Sequence, residues 1–141
     1  MEKKAFEKHI DKYKEEFNEP YFRELKEKVV NEFVNEDKIK FIYTKNPYDT
    51  ANAEHYFFLD SGLLIVKNFD NERNHKHYFY VEHLYSKIVR KQMDFSNDSS
   101  SASLSLFFEN GEIVDFNSSD IGINDREDEY SNLIKMLFKL I

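Results

Sequence analysis

Leu104-Ser105-Leu106-Phe107-Phe108-Glu109-Asn110-Gly111-Glu112-Ile113-Val114-Asp115-Phe116 is the stretch on which the fold reading turns. Two alternating apolar runs flank an Asn-Gly pair, a strong short-range signal for a β-hairpin. A two-residue Asn110-Gly111 loop would set Phe108 opposite Ile113 and Leu106 opposite Asp115, mixing polar and apolar side chains on each face. A three-residue loop, Glu109-Asn110-Gly111, moves the pairing by one. Leu104, Leu106 and Phe108 then share a face with Val114 and Phe116, and burial selects that register. A type I turn with Gly111 in the left-handed position, forming a G1 bulge, is the expected connection.

Toward the C-terminus, Tyr130, Leu133, Ile134, Leu137, Phe138 and Ile141 recur at helical spacing. Asn124 and Glu127 have capping-box spacing. Asp125, Glu127, Asp128 and Glu129 crowd the first turn and Lys135 and Lys139 lie near the end, a polarity that suits the helix dipole. A closing helix that covers an apolar surface is expected there.

Toward the N-terminus, short strand candidates occupy 38–45, 55–59, 63–69, 78–81 and 85–93. Asn46-Pro47-Tyr48-Asp49 is a turn signal, and Asp60-Ser61-Gly62 reads as a tight hairpin. The connections 70–76 and 94–101 are polar. Residues 2–18 place Phe6, Ile10, Tyr13 and Phe17 on one helical face. Pro20 is suited to a first helical turn and opens a second helix, with Phe22, Leu25, Val29 and Phe33 inward. The order is two helices, six or seven antiparallel strands and one closing helix, an α+β arrangement in a single domain. The boundaries expected are a helical extension over 1–36 and a curved or barrel-like antiparallel sheet with its C-terminal helix over 38–141.

The bulk numbers support one folded domain. The chain has 141 residues, 40% of them hydrophobic and 16% aromatic, with 14 Phe, 9 Tyr and no Trp. Disordered chains are aromatic-poor. The net charge is −7, and all of it arises in residues 94–141, which hold 3 basic against 10 acidic residues. Such a field repels phosphate backbones and anionic lipid, so the partners expected are a protein or peptide with a basic surface, or a second copy of the chain in a homodimer; nucleic acid and membrane are not expected. The absence of cysteine rules out disulfides, thiolate catalysis and cysteine-ligated metals. No signal peptide and no membrane-length apolar run is visible, which points to the cytoplasm.

Three segments carry a resemblance to a known family. Phe57-Phe58-Leu59-Asp60-Ser61-Gly62-Leu63-Leu64-Ile65-Val66 is similar to the early hairpin of the bacterial pleckstrin-homology-like (PH-like) superfamily. Val81-Glu82-His83-Leu84-Tyr85-Ser86-Lys87-Ile88 resembles its short acidic turn leading into a strand, and 104–116 with the closing helix resembles its last hairpin and capping helix. The chain also resembles a bacterial family of similar length and uncharacterised function. The resemblance implies a fold over 38–141 and transfers no activity. Phosphoinositide-binding members carry a basic cluster after the first strand. Here Lys45 is accompanied by Asp49 and Glu54, which counts against a headgroup site.

Candidate chemistry is sparse. His75-Lys76-His77, with His83 nearby, supplies imidazoles but no carboxylate at diagnostic spacing, and a solvated loop is the expected reading. Asp115, Asn117 and Ser119 begin like a calcium loop, but Asp120 and Arg126 stand where Gly and Glu are required. The acidic run 125–129 is accounted for by helix capping, with docking of a basic partner as the second reading. The serines of 96–105 have no nucleophile elbow. Tyr43, Tyr48, Tyr56, Phe58, Tyr78 and Tyr80 are the candidates to line a pocket, with an aromatic core as the simpler reading. No catalytic, cofactor-binding or metal residue is assigned. A non-enzymatic binding module that recognises a protein or peptide, through acidic surface or an exposed sheet edge, is expected. The alternatives are a small enzyme or small-molecule binder with an aromatic-lined pocket, and a toxin-neutralising immunity protein.

Overall fold

The computed structural model describes residues 4–11, 19–67, 69, 79–98, 100–123 and 126–141. The chain forms two compact units, Met1–Glu82 and His83–Ile141. The expected α+β class holds. Among the described residues seven antiparallel strands form a four-stranded and a three-stranded sheet, and their pairing does not close a barrel.

In the first unit, helix α1 (Ala5–Asp11) turns Phe6 and His9 inward. Tyr13 and Phe17, expected on the same helix, lie outside the described residues. Helix α2 (Glu19–Leu25) carries Pro20 near its start, as the sequence predicts. The helix then widens into a π turn, Lys26–Val30, where Asn31 N–H bonds to Lys26 O, before the short α3 (Asn31–Phe33). This turn corrects the predicted face. Phe22, Leu25 and Val29 are buried as expected, but Phe33 is 59% exposed while Val30 and Val34 are buried. One residue added per π turn carries the inward face forward by one position, from Phe33 to Val34. Phe33 rests instead against the Tyr80 ring, centroids 5.2 Å apart.

These helices cover one face of the sheet β1 (Ile39–Lys45), β2 (Glu54–Leu59), β3 (Gly62–Lys67) and β4 (Phe79–Leu84), hydrogen-bonded in that order. Ile42 lies opposite Phe57, and Phe57 opposite Leu64, so all three reach the helices from one face. The alternate residues Tyr43, Tyr56, Phe58, Leu63 and Ile65 are also buried, which explains the unbroken apolar runs of β2 and β3. Asn46 takes φ 53°, which asparagine tolerates, and Asp49 N–H closes the predicted turn onto Asn46 O at 3.0 Å.

The second unit holds β5 (Ile88–Phe95), β6 (Ala102–Phe108) and β7 (Ile113–Asn117). Phe107 lies opposite Ile113 and Leu106 opposite Val114, the register of the three-residue loop. Phe108 N–H bonds to Glu112 O and Gly111 N–H to Phe108 O, with Gly111 at φ 91°. Leu104, Leu106, Phe108, Val114 and Phe116 are buried on one face, as predicted. Helix α4 (Glu127–Leu140) packs Tyr130, Ile134 and Leu137 inward. Asn124, the expected cap, lies outside the described residues; Arg126 occupies the cap position without a side-chain cap bond and pairs with Glu129 at 3.0 Å. At the other end, Lys91 of β5 donates to the main-chain oxygens of Phe138 and Ile141 at 3.0 and 2.8 Å. A cation on these terminal carbonyls ties the helix end to the edge of the sheet.

Two substitutions test this description by urea denaturation. A Cβ at Gly111 meets nothing within 4 Å, so Gly111→Ala loses about 1 kcal/mol through backbone conformation alone. Val30→Ala costs roughly 2 kcal/mol and Phe33→Ala less than about 1 kcal/mol; the reverse order would rule out the π turn.

Candidate functional site

The chemistry-bearing groups that the fold brings together are four side chains far apart in sequence. His9 on α1 stands three residues after Phe6, on the same apolar stripe. Tyr21 begins the inward face of α2. Thr44 on β1 and His55 on β2 lie directly opposite one another in the antiparallel register. His9 Nε2 is 2.8 Å from Thr44 Oγ1, Thr44 Oγ1 is 3.1 Å from His55 Nδ1, and His55 Nε2 is 2.6 Å from the Tyr21 hydroxyl. The Tyr21 ring packs edge-on against Phe22 and Phe69 and tilts over His55.

None of the four is more than 5% exposed. Burial pushes the His55 imidazole down to about 3, so it is neutral at physiological pH. A neutral ring has one N–H, which allows two concerted hydrogen-bond directions. In one, Tyr21 donates to His55 Nε2 and His55 Nδ1–H donates to Thr44; in the other, Thr44 donates to His55 Nδ1, His55 Nε2–H donates to Tyr21, and His9 Nε2–H donates to Thr44. A hydroxyl between two imidazoles is the composition of an activated nucleophile. Here it is enclosed, with Thr44 at 0% exposure. The arrangement holds protons in place and links α1 and α2 to β1 and β2.

No sequence motif marks these residues. Their signal was a polar residue on an apolar period: His9 after Phe6, Thr44 after Ile42, His55 before Phe57. A buried polar group at such a position must be hydrogen-bonded, but the partner is supplied by another element.

The residues singled out from sequence have structural roles where they are described. His75, Lys76, His77 and Tyr78 lie outside the described residues. His83 pairs with Glu112 at 3.3 Å and stacks on Phe108, and no group of three or more His, Asp or Glu among the described residues could hold a metal ion. Asn117 and Asp120 form a reciprocal capping box on the 3-10 turn Ser118–Ile121, which Gly122 ends at φ 81°. Asp115 accepts from the Ser105 hydroxyl at 2.6 Å. Ser96 and Ser100 donate to the Asp98 carboxylate, which they hold down to about 2, and so order the β5–β6 connection. Glu127, Asp128 and Glu129 occupy the first turn of α4, while Asp125 lies outside the described residues. Tyr43 meets Tyr56 edge-on, Phe58 meets Phe41, and Tyr48 is half-buried. Tyr43, Tyr56 and Phe58 thus pack ring to ring.

One surface contrasts with this enclosed chemistry. β5 is an edge of its sheet, and six of its eight residues are exposed. Val89 is 67% exposed and Phe95 57%. Arg90 lies over the Phe107 ring and donates to Gln92, whose amide in turn reaches Asp94 at 3.4 Å. A charged and apolar row thus runs along an edge strand. No family model, curated protein or solved structure matches the chain.

The buried chain predicts a pH dependence. The folded His55 stays neutral down to about pH 3, whereas in the unfolded chain it takes up a proton below about 6.5. Between those values the unfolded state binds the extra proton, so stability rises with pH and falls on acidification, by about 1.4 kcal/mol per unit once well below 6.5. Between pH 7 and pH 5 the unfolding free energy from urea titration is expected to fall by about 2 kcal/mol more for the parent protein than for His55→Gln. Equal slopes would show that His55 is not the buried neutral group described. At pH 7, His55→Gln and Tyr21→Phe each cost roughly 1–3 kcal/mol, since each leaves a buried partner unsatisfied.

Proposed function

We propose that this chain is a non-catalytic cytoplasmic binding module that recognises a protein or peptide along the β5 edge. The observation that carries the reading is the contrast just drawn. The histidines, serines and carboxylates described above are engaged in internal structure, whereas β5 leaves charged and apolar side chains exposed on an edge strand. Edge strands bind extended chains by main-chain pairing, with alternate side chains adding specificity. No helix among the described residues is long and apolar enough to cross a membrane. The division into four and three antiparallel strands, with a terminal helix packed on the smaller sheet, is what favours a PH-like scaffold. The acidic residues of the second unit, among them the exposed Glu109, Glu112 and Asp128, favour a partner with basic groups flanking the paired segment.

Selection from a displayed library of random extended peptides tests this function. Binders are expected to slow hydrogen exchange at the amides of Lys91 and Met93, on the strand that they lengthen. Binders that protect only other segments would remove β5 as the site, and a selection that enriches nothing would remove the binding-module reading.

A further inference from the structure

The row of residues on β5 is complementary in charge to its own reverse. About Gln92 as centre, Arg90 and Asp94 are symmetrically placed opposite charges, Val89 and Phe95 are symmetrically placed exposed apolar residues, and Lys91 and Met93 are the remaining pair. We propose that the β5 edge is an isologous interface, on which β5 of a second copy of this chain pairs antiparallel about Gln92 to join two three-stranded sheets into one. The proposal rests on the reading of β5 as a binding edge and names the occupant.

Main-chain geometry restricts the registers. Ser96 N–H bonds to Ser101 O at 3.0 Å, and the β5–β6 register continues through Phe95–Ala102, Asp94–Ser103 and Gln92–Ser105. Antiparallel ladders alternate bonded and non-bonded pairs. Asp94, Gln92 and Arg90 therefore bond to β6, and the N–H and C=O groups of Lys91, Met93 and Phe95 point to the open side. Two copies can join only in registers that set these outward residues opposite one another. Centred on Lys91, such a pairing opposes two ammonium groups. Centred on Met93, it leaves every charge unmatched within the pair. Centred on Gln92, Lys91 and Met93 exchange both main-chain bonds in two symmetric pairs.

The Gln92 register also places the charges well. Arg90, Gln92 and Asp94 share the face away from α4, since the intervening Lys91 and Met93 lie opposite the buried Leu106 and Leu104. They fall at the non-bonded pairs, where opposed side chains approach most closely. Arg90 of each copy faces Asp94 of the other, twice by symmetry, and the two Gln92 amides meet on the axis. Val89 sits at a one-residue bulge between Ile88 and Arg90, so it closes the end of the joint ladder against Phe95. Lysine on an edge strand ordinarily blocks association. Lys91 is instead drawn onto the end of α4 by its bonds to Phe138 and Ile141. One strand pair is small beside stable interfaces of roughly 1,200–2,000 Å², so the dimer is weak, with dissociation in the micromolar range or above.

Sedimentation equilibrium on the full chain, with folding of each variant checked by circular dichroism, tests the pairing. The parent protein is expected to show a monomer–dimer equilibrium. Arg90→Asp and Asp94→Arg each oppose like charges twice and weaken it about tenfold or more. In an equimolar mixture of these two variants, a mixed dimer has opposite charges at both contacts, so association returns to at least the parent's strength. The double variant R90D/D94R regains it alone. A parent protein that stays monomeric to about 1 mM overturns the proposal; peptide protection of Lys91 and Met93 would then still support the binding edge. Dimers indifferent to the single reversals, or a mixture that does not recover, overturn it as well.

Discussion

The Thr44–His55 hydrogen bond sits where the first unit is joined. Each partner is held from one side by the β1–β2 ladder and from the other by a helix, through His9 and Tyr21. Removing water from four polar groups costs free energy that the hydrogen bonds between them offset, so the helices are bound to this position and not to any apolar face of similar size. The surrounding apolar contacts supply most of the stabilisation. The polar chain specifies which residues of α1 and α2 meet which residues of the sheet. Its neutrality makes that specification sensitive to acid, because a proton on His55 would place a charge among Tyr21, Phe22 and Phe69.

The second unit solves its packing differently. Its one sheet face is covered by α4, and its polar residues act at ends and turns: Lys91 at the end of α4, the Asn117–Asp120 box beyond β7, Asp98 with two serine hydroxyls before β6. Each satisfies main-chain or loop groups locally. The β5 edge, with Val89 and Phe95 exposed, is where the binding proposal and the self-pairing proposal both lie. The acidity of the last third is spread over these same turn and helix-start positions, so the net charge describes a surface field and not a single docking site.

Much of the fold was legible because it rests on short-range rules. Hairpin register followed from keeping Leu104, Leu106 and Phe108 with Val114 and Phe116, and the position of Gly111 followed from the loop length. The closing helix followed from a stripe of 3–4 spacing. The failures came where one element alters the rules for another. Phe33 fits the helical period but is displaced by the π turn, which no local residue type announces. Which strands share a sheet lay beyond such rules as well: strand pairing is non-local, and among the described residues it forms a four-stranded and a three-stranded sheet.

The sequence alone determined the principal helices and strands, the three-residue hairpin, the apolar faces of β6, β7 and α4 and the absence of cysteine chemistry, since each depends on residues a few positions apart. Only the tertiary structure decided that His9, Tyr21, Thr44 and His55 form one buried chain and that β5 is an exposed edge. Both depend on which surfaces lose water, and that is settled by the packing of segments tens of residues apart.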